Sequence, residues 1–256
     1  MHYITSGDRH GLPIIFIHGF PFDHSMWEPQ LNALPDKYYY IAYDIRGFGK
    51  SEGRDGINTI EQFADDLETL MKNLSMEKAV ICGLSMGGYI ALRFAEKYPQ
   101  RLKGLVLADT RSEQDTDEAR LKRAGQVKEI SKSGLDDFVD GMLKAVFADK
   151  NFVQNISGIP QLKRVMLSHD PKSVKGALLA MAARTDTTPS LPDIKIPVLI
   201  IVGEEDKITP PESAQKMHGM IAGSELTIIP GAGHLSNMEN PQAFNNALLT
   251  FLDKLS

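Results

Sequence analysis

The sequence predicts an α/β fold organised around a mostly parallel sheet. Three features of its patterning carry that expectation: short apolar runs, amphipathic helical segments between them, and one long helical interruption. The runs are Ile14–Ile17, Tyr38–Tyr43, Ala79–Cys82, Leu105–Ala108, Val198–Val202 and Leu226–Ile229. Each is nearly continuous in apolar residues, so both faces need cover, which is the situation of a strand in a parallel sheet with helices on either side.

Between these runs the period changes from two to 3.6. Ile60, Phe63, Leu67, Leu70, Met71 and Leu74 fall on one helical face, and Thr59 with Gln62 fits a capping box at its start. A second helix is expected in "MGGYIALRFAEKYP", closed by Pro99. Asn240 and Pro241 resemble an N-cap and first helical position ahead of Phe244, Leu248, Phe251, Leu252 and Leu255. The alternation stops between Ser112 and Leu191, where "DEARLKRAGQVKEI", "LDDFVDGMLKAVFA", "IPQLKRVMLSH" and "SVKGALLAMAAR" follow one another without a strand. Residues 1–111 and 192–256 are therefore read as one core domain, and 112–191 as a helical cap inserted between two of its strands. Such an insertion would sit over the carboxyl ends of the strands, where open α/β sheets bind ligands.

Composition narrows the function. The 256 residues are 42% hydrophobic and 24% charged with a net charge of −5, and the basic residues are scattered among acids. No nucleic-acid footprint is present. The single cysteine, Cys82, makes no internal disulfide and reads as a small buried hydrophobe. The first residues lack the basic and apolar segments of a secretory signal, and no apolar stretch approaches the roughly 18 residues of a membrane span. A cytoplasmic protein without membrane contact is the expectation; its oligomeric state is left open, a homo-oligomer included.

The chemistry is concentrated in "ICGLSMGGYIAL", where Gly83, Ser85 and Gly87 form G-x-S-x-G between an expected strand and an expected helix. A turn that sharp leaves no room for side chains at the glycines and lifts the serine hydroxyl into the open. Serine is a poor nucleophile at neutral pH, so it requires a base, and the base an orienting acid. Asp206 follows the strand in "VLIIVGEEDKITPP" and His234 follows the one in "ELTIIPGAGH", each at the same sheet edge as Ser85. Glu204, Glu205 and Asp109 compete for the acid. Of the seven histidines, His2, His10, His24, His169 and His218 read as surface residues, and none pairs with a carboxylate at metal-ligand spacing. No metal site is expected. In "FIHGFPFDHSMW", the loop after an early strand offers the backbone amide of Phe20, which with that of Met86 would hold an oxyanion. His18 reads either as a base or as a residue that holds this loop.

Together, "HGFP", "DIRGFGKS", "GLSMGG", "GEEDKITP" and "GAGH" occur in the order and spacing of the α/β-hydrolase superfamily, and the chain resembles its cap-bearing serine esterases and lactonases over nearly its whole length. The resemblance implies an α/β-hydrolase fold of about seven or eight strands with an inserted helical cap, no cofactor, and a triad mapping to Ser85, Asp206 and His234. The segment "LADTR", Leu107 to Arg111, looks like relatives of the 3-oxoadipate enol-lactonases. One departure is the short stretch before "HG", where the family has a further antiparallel strand; here that edge strand is missing or very short.

The expected reaction is hydrolysis of a small carboxylic ester or lactone through an acyl-enzyme. An aspartate at the elbow would have indicated dehalogenase or epoxide hydrolase chemistry, and this chain has serine. Carbon–carbon bond hydrolases, enol-lactonases and perhydrolases share the triad, so the motifs leave them open, as they do a ligand receptor of the same fold. Phe20, Phe22, Trp27, Met142, Val146, Phe147 and Met181 are candidates for the walls of an apolar pocket, although their spacing also fits core packing. An acidic substrate would call for a cation such as Arg111 or Arg184, each of which otherwise reads as a surface arginine.

Overall fold

The computed structural model describes residues 1–53, 58–154 and 158–255. Its strands are β1 (Tyr3–Gly7), β2 (Pro13–Ile17), β3 (Tyr39–Tyr43), β4 (Ala79–Leu84), β5 (Leu102–Ala108), β6 (Val198–Gly203) and β7 (Glu225–Ile229). Its helices are α1 (Glu28–Leu31), α2 (Ile60–Asn73), α3 (Met86–Lys97), α4 (Asp117–Ser133), α5 (Asp136–Val146), α6 (Asp149–Val153), α7 (Ile159–Ser168), α8 (Pro171–Ala183), α9 (Pro211–Met220), α10 (Ser236–Glu239) and α11 (Pro241–Asp253). Among the described residues the strands form one seven-stranded sheet in the order β1-β3-β2-β4-β5-β6-β7, antiparallel only where β1 meets β3.

Every apolar run of the sequence lies in a strand. All residues of β4 and β6 are buried, as cover on both faces demands. The edge strand left in doubt is present and short: β1 pairs from Tyr3↔Tyr43 to Gly7↔Tyr39. Its residues alternate between exposed and half-buried, so it carries no apolar run to mark it. Strand β5 begins ahead of its apolar run, because exposed Lys103 and buried Gly104 interrupt the pattern; the ladder to β4 shifts register there, pairing Leu102 with Ala79 and Gly104 with Val80.

Strand order fixes where a ligand can enter. From β2 the chain moves outward to β3, then returns past β2 to β4 and continues outward through β5 to β7. The loops leaving β2 and β4 therefore diverge at their carboxyl ends, and this divergence opens the crevice of a doubly wound sheet. Helices α4 to α8 lie between β5 and β6 in sequence and bury Phe138, Val139, Leu143, Leu162, Met166, Val174, Leu178 and Met181.

Local capping agrees with the sequence. The Thr59 side chain accepts from the Gln62 amide at 3.1 Å at the start of α2, and Asn240 does the same from Ala243 at 3.2 Å at the start of α11. Thr59→Ala leaves that amide without its acceptor and should lower stability by about 1 kcal/mol in urea denaturation, with Thr59→Ser close to wild type.

Candidate active site

Strand β4 ends at Leu84 and α3 begins at Met86, so the chain turns from strand to helix across Ser85 alone. Ser85 has φ 55° and ψ −114°. For a residue with a side chain such a conformation costs on the order of 1–3 kcal/mol and persists only where its surroundings over-determine it. They do so here. The Ser85 amide donates to Ala108 O at 2.9 Å, and its carbonyl accepts from Thr110 Oγ1 and the Gly88 amide, each at 2.8 Å. A Cβ at Gly83 would lie 2.2 Å from Gly87 O, and one at Gly87 would lie 2.3 Å from Ile17 O. The glycines let the turn pack against itself and against β2.

Two further loops close on Ser85 because β6 and β7 end side by side. A Cβ at Gly203 would lie 2.0 Å from Gly233 O, so the loops carrying Asp206 and His234 are in backbone contact. His234 Nδ1–H donates to Asp206 Oδ2 at 2.8 Å, which leaves Nε2 to accept from Ser85 Oγ, also at 2.8 Å. Asp206 is held in turn: Oδ1 accepts the amides of Ile208 and Thr209 at 2.8 and 3.0 Å, and Oδ2 accepts Thr209 Oγ1 at 2.7 Å. Asp206 and His234 are buried, whereas Ser85 is partly open.

Electrostatics separates the competing acids. Burial pushes the Asp206 carboxyl up, but the facing His234 and the Thr209 bonds outweigh it and hold the group below its ordinary value. Burial likewise pushes His234 down, and the Asp206 charge and hydrogen bond more than compensate, so its value is raised. Asp109 is fully buried, and burial together with the Asp206 charge drives its carboxyl well above the ordinary range. Its oxygens serve the Gly203 amide at 2.8 Å and Ser236 Oγ at 2.5 Å, not His234. Glu204 accepts the Gly231 amide at 2.9 Å, and Glu205 pairs with Lys150.

Phe20 follows β2 and Met86 is the first residue of α3, and β2 pairs with β4, the strand that leads into α3. Among the described residues neither donates to a protein acceptor. His18 holds this loop: Nε2 accepts the Ile45 amide and Nδ1–H donates to Gly19 O, both at 2.9 Å, while burial lowers its pKa. Both ring nitrogens are thus committed to backbone.

A family model described as the alpha/beta hydrolase family matches residues 14–247. The chain belongs to the alpha/beta hydrolase family. It is 32% identical over 252 residues to 3-oxoadipate enol-lactonase 2 of Acinetobacter baylyi, covering 97% of this chain and 91% of that protein. Among solved structures, a thermophilic esterase from Thermogutta terrifontis, determined with malate bound, is 38% identical with a TM-score of 0.94, covering 99% of this chain and 93% of that one. The enol-lactonase from Burkholderia xenovorans LB400 is 30% identical with a TM-score of 0.92, covering 98% of this chain and 96% of the other.

In this hydrolase the residues expected to wall a pocket are dispersed. Trp27 is fully buried, with its ring centroid 4.8 Å from that of Phe16 on β2 and 6.1 Å from that of Phe244 on α11. It is a core residue and not part of a cleft wall, a correction with a simple cause: the short helical turn at His24–Trp27 carries it under the sheet. Phe22 is buried against Gly19. The Phe20 ring meets Phe138 of α5 edge-on, at 6.1 Å between centroids. Val146 reaches the site through its backbone, its carbonyl accepting the His234 amide at 2.8 Å. Phe147 follows, buried, Met142 is half-buried on α5, and Met181 is buried on α8.

Several residues read as surface lie inside. His169 is buried against Phe48, and burial lowers its pKa to about 4. Arg184 is 4% exposed, bonded to Asp115 at 2.7 Å and stacked on Tyr89. His2 and His24 are half-buried and both bonded to Asp44. His10 and His218 are exposed, as expected. Thr209, Thr110 and Glu239 went unrecognised as supports of the site. Glu239 accepts the amides of Gly233 and Ala148 at 2.8 and 2.9 Å, joining the His234 loop to the inserted helices. Of these only Thr209 left a trace in sequence, the Asp-x-x-Thr spacing of a side chain that caps its own loop.

Trp27→Ala should cost about 3–5 kcal/mol in chemical denaturation. KM measured on the folded fraction should stay near wild type, whereas a cleft residue would show the opposite split.

Proposed function

We propose that this hydrolase cleaves small carboxylic esters or lactones through an acyl-enzyme on Ser85, with His234 as base and Asp206 as its orienting acid. The observation that carries this reading is the continuous chain from Ser85 Oγ to His234 Nε2 and from Nδ1 to Asp206 Oδ2, each link 2.8 Å. As Ser85 Oγ attacks a carbonyl carbon, its proton passes to His234 Nε2, and the buried Asp206 charge stabilises the imidazolium that forms. The negative charge that collects on the carbonyl oxygen would be met by the amides of Phe20 and Met86 and by the positive end of α3. Collapse of the tetrahedral intermediate returns the proton from Nε2 to the departing alcohol, and water, activated by the same base, releases the acid. Residues 112–191 would act as the cap that encloses the acyl group, with Phe20, Phe22, Met142, Val146 and Phe147 the candidates to shape its pocket. Esterase and enol-lactonase are the named activities of the relatives above, and both involve attack on an ester-type carbonyl.

Ser85→Ala should reduce hydrolysis of p-nitrophenyl acetate and butyrate at least about 10³-fold. Turnover at the wild-type rate would overturn the assignment, and a panel that adds lactones and vinylogous diketones would define the substrate class.

The two buried carboxylates should respond differently to neutralisation. Asp206 works as an anion, so Asp206→Asn should lower kcat about 10³–10⁴-fold. Burial and the Asp206 charge raise the Asp109 carboxyl well above its ordinary value, and its oxygens meet Gly203 and Ser236 rather than His234, so Asp109→Asn should leave kcat of the same order as wild type.

His234 must be unprotonated to act as base, and Asp206 raises its pKa above 6.5. The kcat/KM profile should therefore fall as pH drops, with its acid-side midpoint above 6.5. A midpoint below that value would show that Asp206 does not outweigh burial at His234.

A further inference from the structure

Away from Ser85, three chain segments converge on one carboxylate. Asp44 closes β3, His24 lies in the loop after β2, and His2 immediately precedes β1, whose pairing with β3 brings it alongside. Asp44 is fully buried. Its Oδ1 accepts the His24 amide at 2.9 Å and faces His24 Nδ1 at 2.6 Å; its Oδ2 accepts the Lys50 amide at 2.8 Å and faces His2 Nδ1 at 2.9 Å. The ligand-capable atoms of the three residues all lie within 4.8 Å of one another. A Cβ at Gly49 would sit 2.3 Å from Asp44 Cγ, so backbone closes that side of the carboxylate. The imidazole side is open: the His2 and His24 side chains are 27% and 15% exposed, and His2 borders a cavity of about 540 Å³.

We propose that His2, His24 and Asp44 form a binding site for a divalent transition metal of the Zn²⁺ class. Two imidazole nitrogens and a carboxylate are the borderline donor set that such ions select over Mg²⁺ or Ca²⁺. Ligand bonds of about 2.0–2.2 Å place neighbouring donors a little more than 3 Å apart. The present Nδ1 to oxygen distances of 2.6 and 2.9 Å would open by a few tenths of an ångström, and donors now as much as 4.8 Å apart would draw together around the ion. Each ring would offer its Nδ1 lone pair and carry its proton on Nε2: a neutral ring only exchanges tautomers, and a doubly protonated one releases one proton to solvent. The backbone amides already on Asp44 fix its orientation, the role that outer hydrogen bonds play at metal centres. Water from the cavity completes the coordination. Because the three ligands come from different segments, the ion would tie the edge strand to the loops after β2 and β3.

The test uses the full, untagged chain, stripped with chelator and titrated calorimetrically with ZnCl₂, beside His2→Gln, His24→Gln and the double variant. Glutamine keeps a donor for Asp44 and removes the imidazole, and circular dichroism verifies folding. Wild type should bind one Zn²⁺ and melt at a higher temperature with it. Each single variant should bind at least about tenfold more weakly, and the double variant should lose both binding and the thermal shift. Co²⁺ bound to wild type should give the intense visible bands of a four-coordinate complex with nitrogen ligands. Absence of saturable Zn²⁺ binding by wild type, undiminished binding by the double variant, or only the weak spectrum of hydrated Co²⁺ would overturn the site.

Discussion

The conformation of Ser85 is the constraint from which the rest of the site follows. A residue with φ 55° between a strand and a helix has to be held from several directions, and the holders come from distant parts of the chain. Ala108 and Thr110 grip its backbone from the end of β5, while Gly87 lets α3 press on Ile17 of β2. Those contacts exist because β4 lies between β2 and β5 in the sheet. The strand order thus clamps the elbow at the carboxyl ends of β2, β4 and β5.

The electrostatics around that elbow depend on two aspartates with unlike surroundings. Asp206 receives two amides, a threonine hydroxyl and the imidazole N–H, so its charge is solvated by the protein. Asp109 has one amide, one hydroxyl and the repulsion of Asp206 itself. Two charges in one buried site are costly, so the carboxyl with fewer donors is the one driven above its ordinary value. Asp109 acts as a bracket between β6 and α10 through Gly203 and Ser236. Two residues of the same type at adjacent strand ends have different tasks, and the number of donors around each decides which.

Much of this was readable in the sequence, for physical reasons that also explain the exceptions. Strands β2 to β6 announce themselves because burial on both faces requires apolar runs, and β7 carries one although only its Ile229 is buried, whereas β1, at the other edge, alternates and is silent. Ser85, Asp206 and His234 stand at strand ends beside glycines whose absent side chains make room for them, a local signal for a long-range arrangement. Thr110, Glu239 and the Val146 carbonyl carry no such mark, since their partners are backbone atoms set by tertiary packing. The histidines misled in another way. His169 and His24 lie among polar residues in sequence, yet Phe48 and Asp44, drawn from other segments, bury or bind them in the fold.

The junction between the inserted helices and the sheet bears on how such a site can vary. At the end of α5 the Val146 carbonyl accepts the His234 amide, and at the next turn the Ala148 amide donates to Glu239, which also holds Gly233. The link to the Val146–Ala148 segment therefore runs through its main chain, with Glu239 the side chain that receives it. Any residue at 146 or 148 other than proline at 148 offers the same groups, so His234 keeps its backbone anchor whatever side chains α5 presents. Phe20 against Phe138 and Phe48 against His169 are contacts of the opposite kind, made by rings whose size and shape matter. Substitution along α5 and at the α7–α8 junction would then change these ring contacts while the backbone links to His234 stay in place.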